Sequence, residues 1–122
     1  MVVVTIGYLE NRGIKMTSNY SLITRFRDIG ILLSPLGINE IAFNYSSIME
    51  VIDWCIKNKN IILGGDVYYC VDGYISITSD SWYYEPVLTN SDVLESAKKA
   101  RDYIENFYKK NGYDYLYSLV LK

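Results

Sequence analysis

The chain has 122 residues, of which 50% are hydrophobic and 21% charged, and a formal net charge of −2. This length and composition predict a single globular domain over residues 1–122 and exclude a disordered chain. The small negative charge does not favour a nucleic-acid partner, because phosphate binding requires a clustered positive surface. The absence of histidine excludes a Ser-His-Asp or Cys-His catalytic set and a histidine-ligated zinc site.

The N-terminal residues lack the features of a targeting segment. The run MVVVTIGYLENRG has no basic segment followed by a long apolar one, so we expect no secretory signal and a cytoplasmic location. No apolar run approaches the roughly 20 residues that a membrane-spanning helix requires. Val2–Ile6 is a β-type run and Asn11–Gly13 a turn signal. Residues 1–15 are therefore expected to form an edge hairpin or a poorly ordered leader.

The first half of the remaining chain alternates between helical and extended patterns. Asn19–Gly30 has helical periodicity and ends at a glycine, as helices commonly do. Ser34–Gly37 is typical of a loop, and Ile38–Phe43 of a short strand. Ser47 and Glu50 have capping-box spacing and predict the start of a second helix. Its apolar stripe has helical spacing and consists of Ile48, Val51, Ile52, Cys55 and Ile56.

The central segment, Ile61–Glu85, is predicted to be a β-hairpin. Asp72-Gly73 predicts a type I′ turn, which would pair Val71 with Tyr74. Gly64-Gly65 is expected to be a bulge or sharp bend, because it leads into a strand and not into the helix that a phosphate loop requires. One face of the hairpin is assigned to the core: Tyr68, Cys70, Ile75 and Ile77. The other is expected to be wetter and aromatic: Val67, Tyr69, Val71, Tyr74, Ser76 and Thr78.

The C-terminal part predicts one more helix and one more strand. The helix is expected from about Ser91, with Ser91 or Asp92 as its cap, to Lys110, and Asn111-Gly112 ends it. The strand places four side chains on one face: Tyr115, Tyr117, Leu119 and Leu121. The element order (β)αβαββαβ predicts an α+β fold with a largely antiparallel sheet of about four to five strands and two or three helices packed on it.

Carboxylates and aromatic residues are concentrated around the hairpin. Four carboxylates lie close in sequence: Asp66, Asp72, Asp80 and Glu85. A pair of them could serve acid–base catalysis or bind a divalent cation, but no spacing matches an EF-hand. In Trp82-Tyr83-Tyr84, either Trp82 anchors the core and Tyr83 is exposed, or the run forms an aromatic binding anchor rimmed by acidic residues.

Three motifs carry a family resemblance: GINEIA (37–42), ILGGDVY (62–68) and Asp80-x-Trp82-Tyr83. Together they resemble immunity protein family 40, over roughly Ser21 to Lys122. Family members often have Asn where this chain has Ser81. Members accompany bacterial polymorphic toxins and protect the producing cell from its own toxin. The resemblance implies a non-enzymatic α+β protein that neutralises a cognate protein toxin by direct contact.

These observations lead to one functional prediction and two alternatives. We predict a cytoplasmic toxin-binding immunity protein, a monomer or weak homodimer, with no cofactor, metal, nucleic-acid or membrane partner. Cys55 and Cys70 are interpreted as small buried hydrophobic residues. The alternatives are a small enzyme or ligand-binding domain using the carboxylates near Asp66, and a module that self-associates through its Tyr-rich strands. The predicted partner-binding residues are Asp66, Tyr69, Tyr74, Asp80, Trp82, Tyr83 and Glu85.

Overall fold

A computed structural model describes residues 18–122, so the prediction for residues 1–15 lies outside the described part. Within that part the helices are α1 (Ser18–Phe26), α2 (Tyr45–Lys57) and α3 (Asp92–Asn111). The strands are β1 (Ile31–Leu32), β2 (Ile41–Phe43), β3 (Ile62–Val71), β4 (Tyr74–Tyr83), β5 (Tyr115–Ser118) and β6 (Val120–Leu121). None of these helices is long and apolar enough to cross a lipid bilayer.

The described strands form one antiparallel sheet in the order β1-β2-β5-β3-β4, and β6 also pairs with β3. This confirms the predicted α+β fold with a slightly higher strand count. No sequence pattern indicated β1, and the expected final strand divides after Ser118 into β5 and β6. In this arrangement β3 is central, whereas β4 is an edge strand of the described sheet.

The main core lies between the helices and one face of the sheet. From the helices it includes Leu22, Ile48, Val51, Ile52, Cys55, Ala97, Ala100 and Ile104. From the sheet it includes Ile41, Phe43, Val67, Trp82 and Tyr117. Complete burial of a large apolar side chain stabilises the fold by about 1.5–3 kcal/mol, so this cluster is the main source of stability. The predicted apolar stripe of α2 is confirmed, since its first four members are buried.

Helix α2 begins earlier than the sequence indicated. Its N-cap is Asn44, whose Oδ1 accepts a hydrogen bond from the backbone N–H of Ser47 at 2.9 Å. The prediction that Ser47 caps this helix was therefore wrong. Asparagine is an equally good N-cap residue, and the capping box suggested by Ser47 and Glu50 lies inside the helix.

A smaller cluster lies on the opposite face of the sheet. It consists of Leu33, Ala42, Tyr68 and Leu116, with Leu36 and Ile38 from the loop after β1 packed against it. The predicted hairpin register is confirmed, with Val71 opposite Tyr74 and Tyr68 opposite Ile77. The assignment of faces was partly wrong, because Val67 is fully buried in the main core and Ile77 is 66% exposed. Ile77 lies on the edge strand, where little covers it.

Gly64 and Gly65 allow close approach of neighbouring strands. A Cβ on Gly65 would lie 2.0 Å from the carbonyl oxygen of Ser118 and 2.4 Å from the Trp82 ring. A Cβ on Gly64, which has φ +153°, would lie 2.3 Å from the carbonyl oxygen of Trp82. The pairing of β3 with β6 is irregular at this point, as the sequence predicted for the glycine pair.

Candidate partner-binding surface

The sheet face away from the helices is the candidate site. Residues directly opposite each other in an antiparallel pair point to the same side. Asp66 is opposite Ser81, Tyr68 is opposite Ile77, and Gly64 is opposite Tyr83. We therefore define the open face as Asp66, Tyr68, Ile77, Ser81 and Tyr83, together with Glu40. Glu40 is two residues before Ala42, which belongs to the smaller cluster on this face, and alternation along extended chain puts both on the same side. Ile77 and Tyr83 are its exposed apolar part, 66% and 59% exposed respectively.

Two carboxylates, Glu40 and Asp66, lie together on the open face. Burial raises the pKa of Glu40 above 4.5, and the nearby charge of Asp66 raises it further. A hydrogen bond with Ser118 opposes this change, and the same serine Oγ accepts from the backbone N–H of Asp66 at 3.3 Å. Oε1 of Glu40 is buried and has no hydrogen-bond partner among the described residues. A cation at this position would offset both the desolvation of the Glu40 carboxylate and its repulsion by Asp66.

The predicted partner-binding residues divide among several environments. Asp66 and Tyr83 lie on the open face, and Asp80 and Glu85 are exposed along and just beyond the edge strand. Tyr69 and Tyr74 lie on the other side of the hairpin, since their positions alternate with those of Tyr68 and Ile77. Tyr74 is 80% exposed near the turn, whereas Tyr69 packs against Tyr115 with ring centroids 5.2 Å apart.

Trp82 belongs to the core. Its side chain is only 8% exposed and stacks on Tyr103 of α3, with ring centroids 4.9 Å apart. Of the two interpretations of the aromatic run, the structure therefore has Trp82 as a core anchor and Tyr83 exposed beside it. Trp82 has little surface to offer a partner, and it holds β4 against α3.

An irregularity in β4 places Trp82 opposite Gly65. Between Tyr68 and Asp66 the register shifts, so that β4 contains two more residues than β3. Thr78 Oγ1 donates to the carbonyl oxygen of Val67 at 2.6 Å and accepts from the backbone N–H of Asp80 at 3.1 Å. In an uninterrupted register Asp80 would face Gly65; the extra residues put the indole there, where the absence of a Cβ leaves room for it.

The family model of Immunity protein 40 matches residues 32–121. The chain belongs to this family. The match confirms the resemblance found in the sequence motifs, and it includes all six residues of the open face. A comparison with curated proteins gives no match.

The Immunity protein 40 match also includes a second exposed apolar segment, directly after the open face. Val87, Leu88 and Leu94 are exposed, and Leu88 has a positive φ of 64°. Asp92 holds this segment, because its carboxylate accepts from the backbone N–H groups of Val87 at 3.0 Å and Leu88 at 2.8 Å, and from the Tyr84 hydroxyl at 2.7 Å. These hydrogen bonds lower the pKa of Asp92 and raise that of Tyr84 to about 12.

Other features of the described chain do not add to this site. No three carboxylate, cysteine or histidine side chains lie where they could hold a metal ion, within the residues the structure describes. Burial raises the pKa of the Cys55 thiol to about 12, and both cysteines are free. An open depression of about 650 Å³ lies on the helical side, and none of the predicted partner-binding residues lines it. Its lining consists of Arg25, Glu50, Asp53, Trp54, Lys57 and Asn58.

The sequence did not indicate the contributions of Glu40 and Ile77 to the open face. Glu40 precedes a short strand, and its proximity to Asp66 depends on β5, which lies between β2 and β3 in the sheet. Ile77 has the pattern of a core residue, and only its place on the edge strand leaves it exposed. The GINEIA motif was the one available signal for Glu40, through the family resemblance.

Proposed function

We propose that this chain is a bacterial immunity protein that acts in the cytoplasm by binding its cognate toxin directly and blocking it. Family membership supports the immunity role. The open face is the observation that supports direct contact with the toxin, because Ile77 and Tyr83 are exposed there beside partly buried carboxylates. Exposed aromatic and aliphatic side chains with a polar rim are typical of protein-binding surfaces. Binding, without catalysis, accounts for these features.

We place the centre of the contact surface at Asp66, Ile77 and Tyr83, with Asp80 and Glu85 at its rim. Tyr69 and Tyr74 would contact the same partner only if it extends around the edge of β4. Trp82 would support this surface indirectly, because its packing on Tyr103 fixes the backbone from which Tyr83 projects. Lys99 of α3 donates a hydrogen bond to the carbonyl oxygen of Tyr83 and restrains the same backbone.

The test compares Tyr83→Ala with Tyr113→Ala, a tyrosine that is 83% exposed just before β5. The partner is the toxin encoded beside this chain's gene, and the measurement is affinity by titration calorimetry. A tyrosine hot spot is worth about 2 kcal/mol or more, so we expect Tyr83→Ala to weaken binding by about 30-fold. Tyr113→Ala should bind as the wild type does.

The two possible failures have different meanings. Equal affinity of wild type and Tyr83→Ala would show that the open face is not the contact surface. Absence of any complex with the neighbouring toxin would contradict the proposed function itself. Circular dichroism of each variant confirms that a change in affinity does not come from unfolding.

Self-association remains the alternative that a specific observation favours. β4 is an edge of the described sheet, and Tyr74 and Ile77 are exposed along it. However, the irregularity at Thr78–Asp80 and the charge of Asp80 interrupt the edge, as in proteins that avoid pairing between sheets. We therefore propose a monomer, and sedimentation velocity across a concentration series tests this directly.

A further inference from the structure

The open face has a charge pattern that specifies the chemistry of its partner. Neither Glu40 nor Asp66 has a salt-bridge partner among the described residues, whose ion pairs are Lys98–Asp102 and Arg101–Asp53. Building on the proposed toxin-binding function, we propose that the open face receives one lysine or arginine side chain of the toxin between the carboxylates of Glu40 and Asp66. Ile77 and Tyr83 would pack against the aliphatic part of that side chain.

The immediate surroundings of Glu40 support a cationic occupant. Its Oε1 is buried without a hydrogen-bond partner in the described part of the chain, although Ser118 bonds to the carboxylate. A buried polar atom without a partner destabilises the free protein, and a charged donor from a partner would satisfy it. A neutral donor could satisfy Oε1 but would leave the repulsion from Asp66, so charge complementarity favours a basic side chain.

The apolar rim favours a protein over a small cation. Ile77 and Tyr83 are the large exposed side chains of this face and lie on the same strand as Ser81, which is opposite Asp66. A metal ion or ammonium ion would not contact them, whereas the long stem of lysine or arginine would cover apolar surface while its charged end reaches the carboxylates. The site thus fits a basic residue at the surface of a folded partner.

Occupation of this site has a consequence for proton binding. The groups that shift the pKa of Glu40 are Asp66 of β3 and Ser118 of β5. Tyr68 of β3 also lies near both carboxylates, and burial together with their charges raises its pKa. In the free protein the pKa of Glu40 lies above 4.5, and a partner cation would lower it. Binding should therefore release protons in mildly acidic solution, and affinity should weaken as the pH falls through the raised pKa of the free protein.

The first test uses a small probe and does not depend on the toxin. The chain is titrated with N-acetyl-arginine amide and, as a neutral control of similar shape, N-acetyl-citrulline amide. Carbon NMR follows the side-chain carboxyl resonances of Glu40 and Asp66. We expect saturable shifts of both resonances with the arginine compound alone. In Glu40→Gln the shift of the remaining Asp66 resonance should be lost. Equal shifts with both compounds, or equal shifts at Glu50 on the helical side, would overturn the proposal.

The second test uses the toxin encoded beside this chain's gene. Glu40→Gln and Asp66→Asn keep side-chain shape, and each should weaken binding by about 30-fold or more, which corresponds to about 2 kcal/mol for the loss of one partner of a close charge pair. Glu50→Gln is the matched control and should leave affinity unchanged. If one variant fails to fold, the other still decides the matter.

The outcomes separate this inference from the proposed function. Tight binding by both variants would overturn the cation site and leave the immunity role intact. A wild-type chain that does not bind the toxin would contradict the immunity role, and the arginine titration would then decide the cation site alone. Proton release, measured by calorimetry in buffers of different ionisation enthalpy, should accompany wild-type binding and disappear in Glu40→Gln.

Discussion

Truncation of the adjacent aromatic residues Trp82 and Tyr83 in β4 should have very different effects on the stability of the fold. Trp82→Ala removes an indole that is 8% exposed, lies against Gly65 and stacks on Tyr103. Loss of a buried tryptophan, including the cavity it leaves, costs about 3–5 kcal/mol. Domains of this size are stable by about 5–15 kcal/mol, so the variant should lose a large fraction of its stability. Tyr83→Ala, on an exposed residue, should change the free energy of unfolding by about 0.5 kcal/mol or less.

Urea denaturation followed by circular dichroism measures both values. Trp82→Phe is the control, because it keeps a ring in the core and removes the indole N–H, which has no hydrogen-bond partner in the described structure. We expect its cost to lie well below that of Trp82→Ala. A Trp82→Ala variant that loses less than about 1 kcal/mol would refute the core role of this side chain, since deep burial of tryptophan predicts a much larger loss.

Three further substitutions test individual contacts that stabilise the fold. Gly65→Ala should destabilise the fold by about 1–3 kcal/mol or more, because its Cβ would lie 2.0 Å from the carbonyl oxygen of Ser118; thermal unfolding measures this. Ser96→Ala should cost about 1–3 kcal/mol in urea unfolding, since the buried N–H of Ile62 loses the acceptor it has at 3.0 Å. Asp92, whose pKa lies below 3.8, stabilises the fold above that pH and loses this effect as pH falls through its lowered pKa. The stability difference between wild type and Asp92→Asn should therefore shrink on acidification, and a difference independent of pH would contradict the role of its charge.

Local patterns in the sequence predicted the elements well. The stripe of α2 was visible because helical periodicity places every third or fourth residue on one face. The hairpin register was visible because Asp72-Gly73 fixes the turn and, through it, each pair up to Tyr68 and Ile77. The family motifs were equally local, and the match over residues 32–121 confirms them.

The faces of the hairpin could not be predicted because alternation does not say which side the helices cover. Val67 and Tyr68 are both buried, on opposite faces, since β3 has neighbours on both sides and cover above and below. Ile77 pairs with Tyr68 yet is exposed, because the loop that covers the smaller cluster packs on Leu116 and its neighbours. These differences depend on strand order, which no short window of sequence contains.

The proximity of Glu40 and Asp66 has the same origin. The two residues belong to different motifs, and β5, contributed by the C-terminal end of the chain, lies between their strands. Ser118 of that strand bonds to both residues. A sequence pattern can identify each acidic residue, but only the completed sheet brings them to one site.

The most direct test of the account is calorimetric titration of this chain with the toxin encoded beside its gene. We expect a saturable complex that Tyr83→Ala weakens by about 30-fold, as for a hot-spot residue, and Tyr113→Ala leaves unchanged. A complex that both variants form with wild-type affinity would contradict the placement of the surface on the open face. No detectable complex with the wild-type chain would contradict immunity by direct binding.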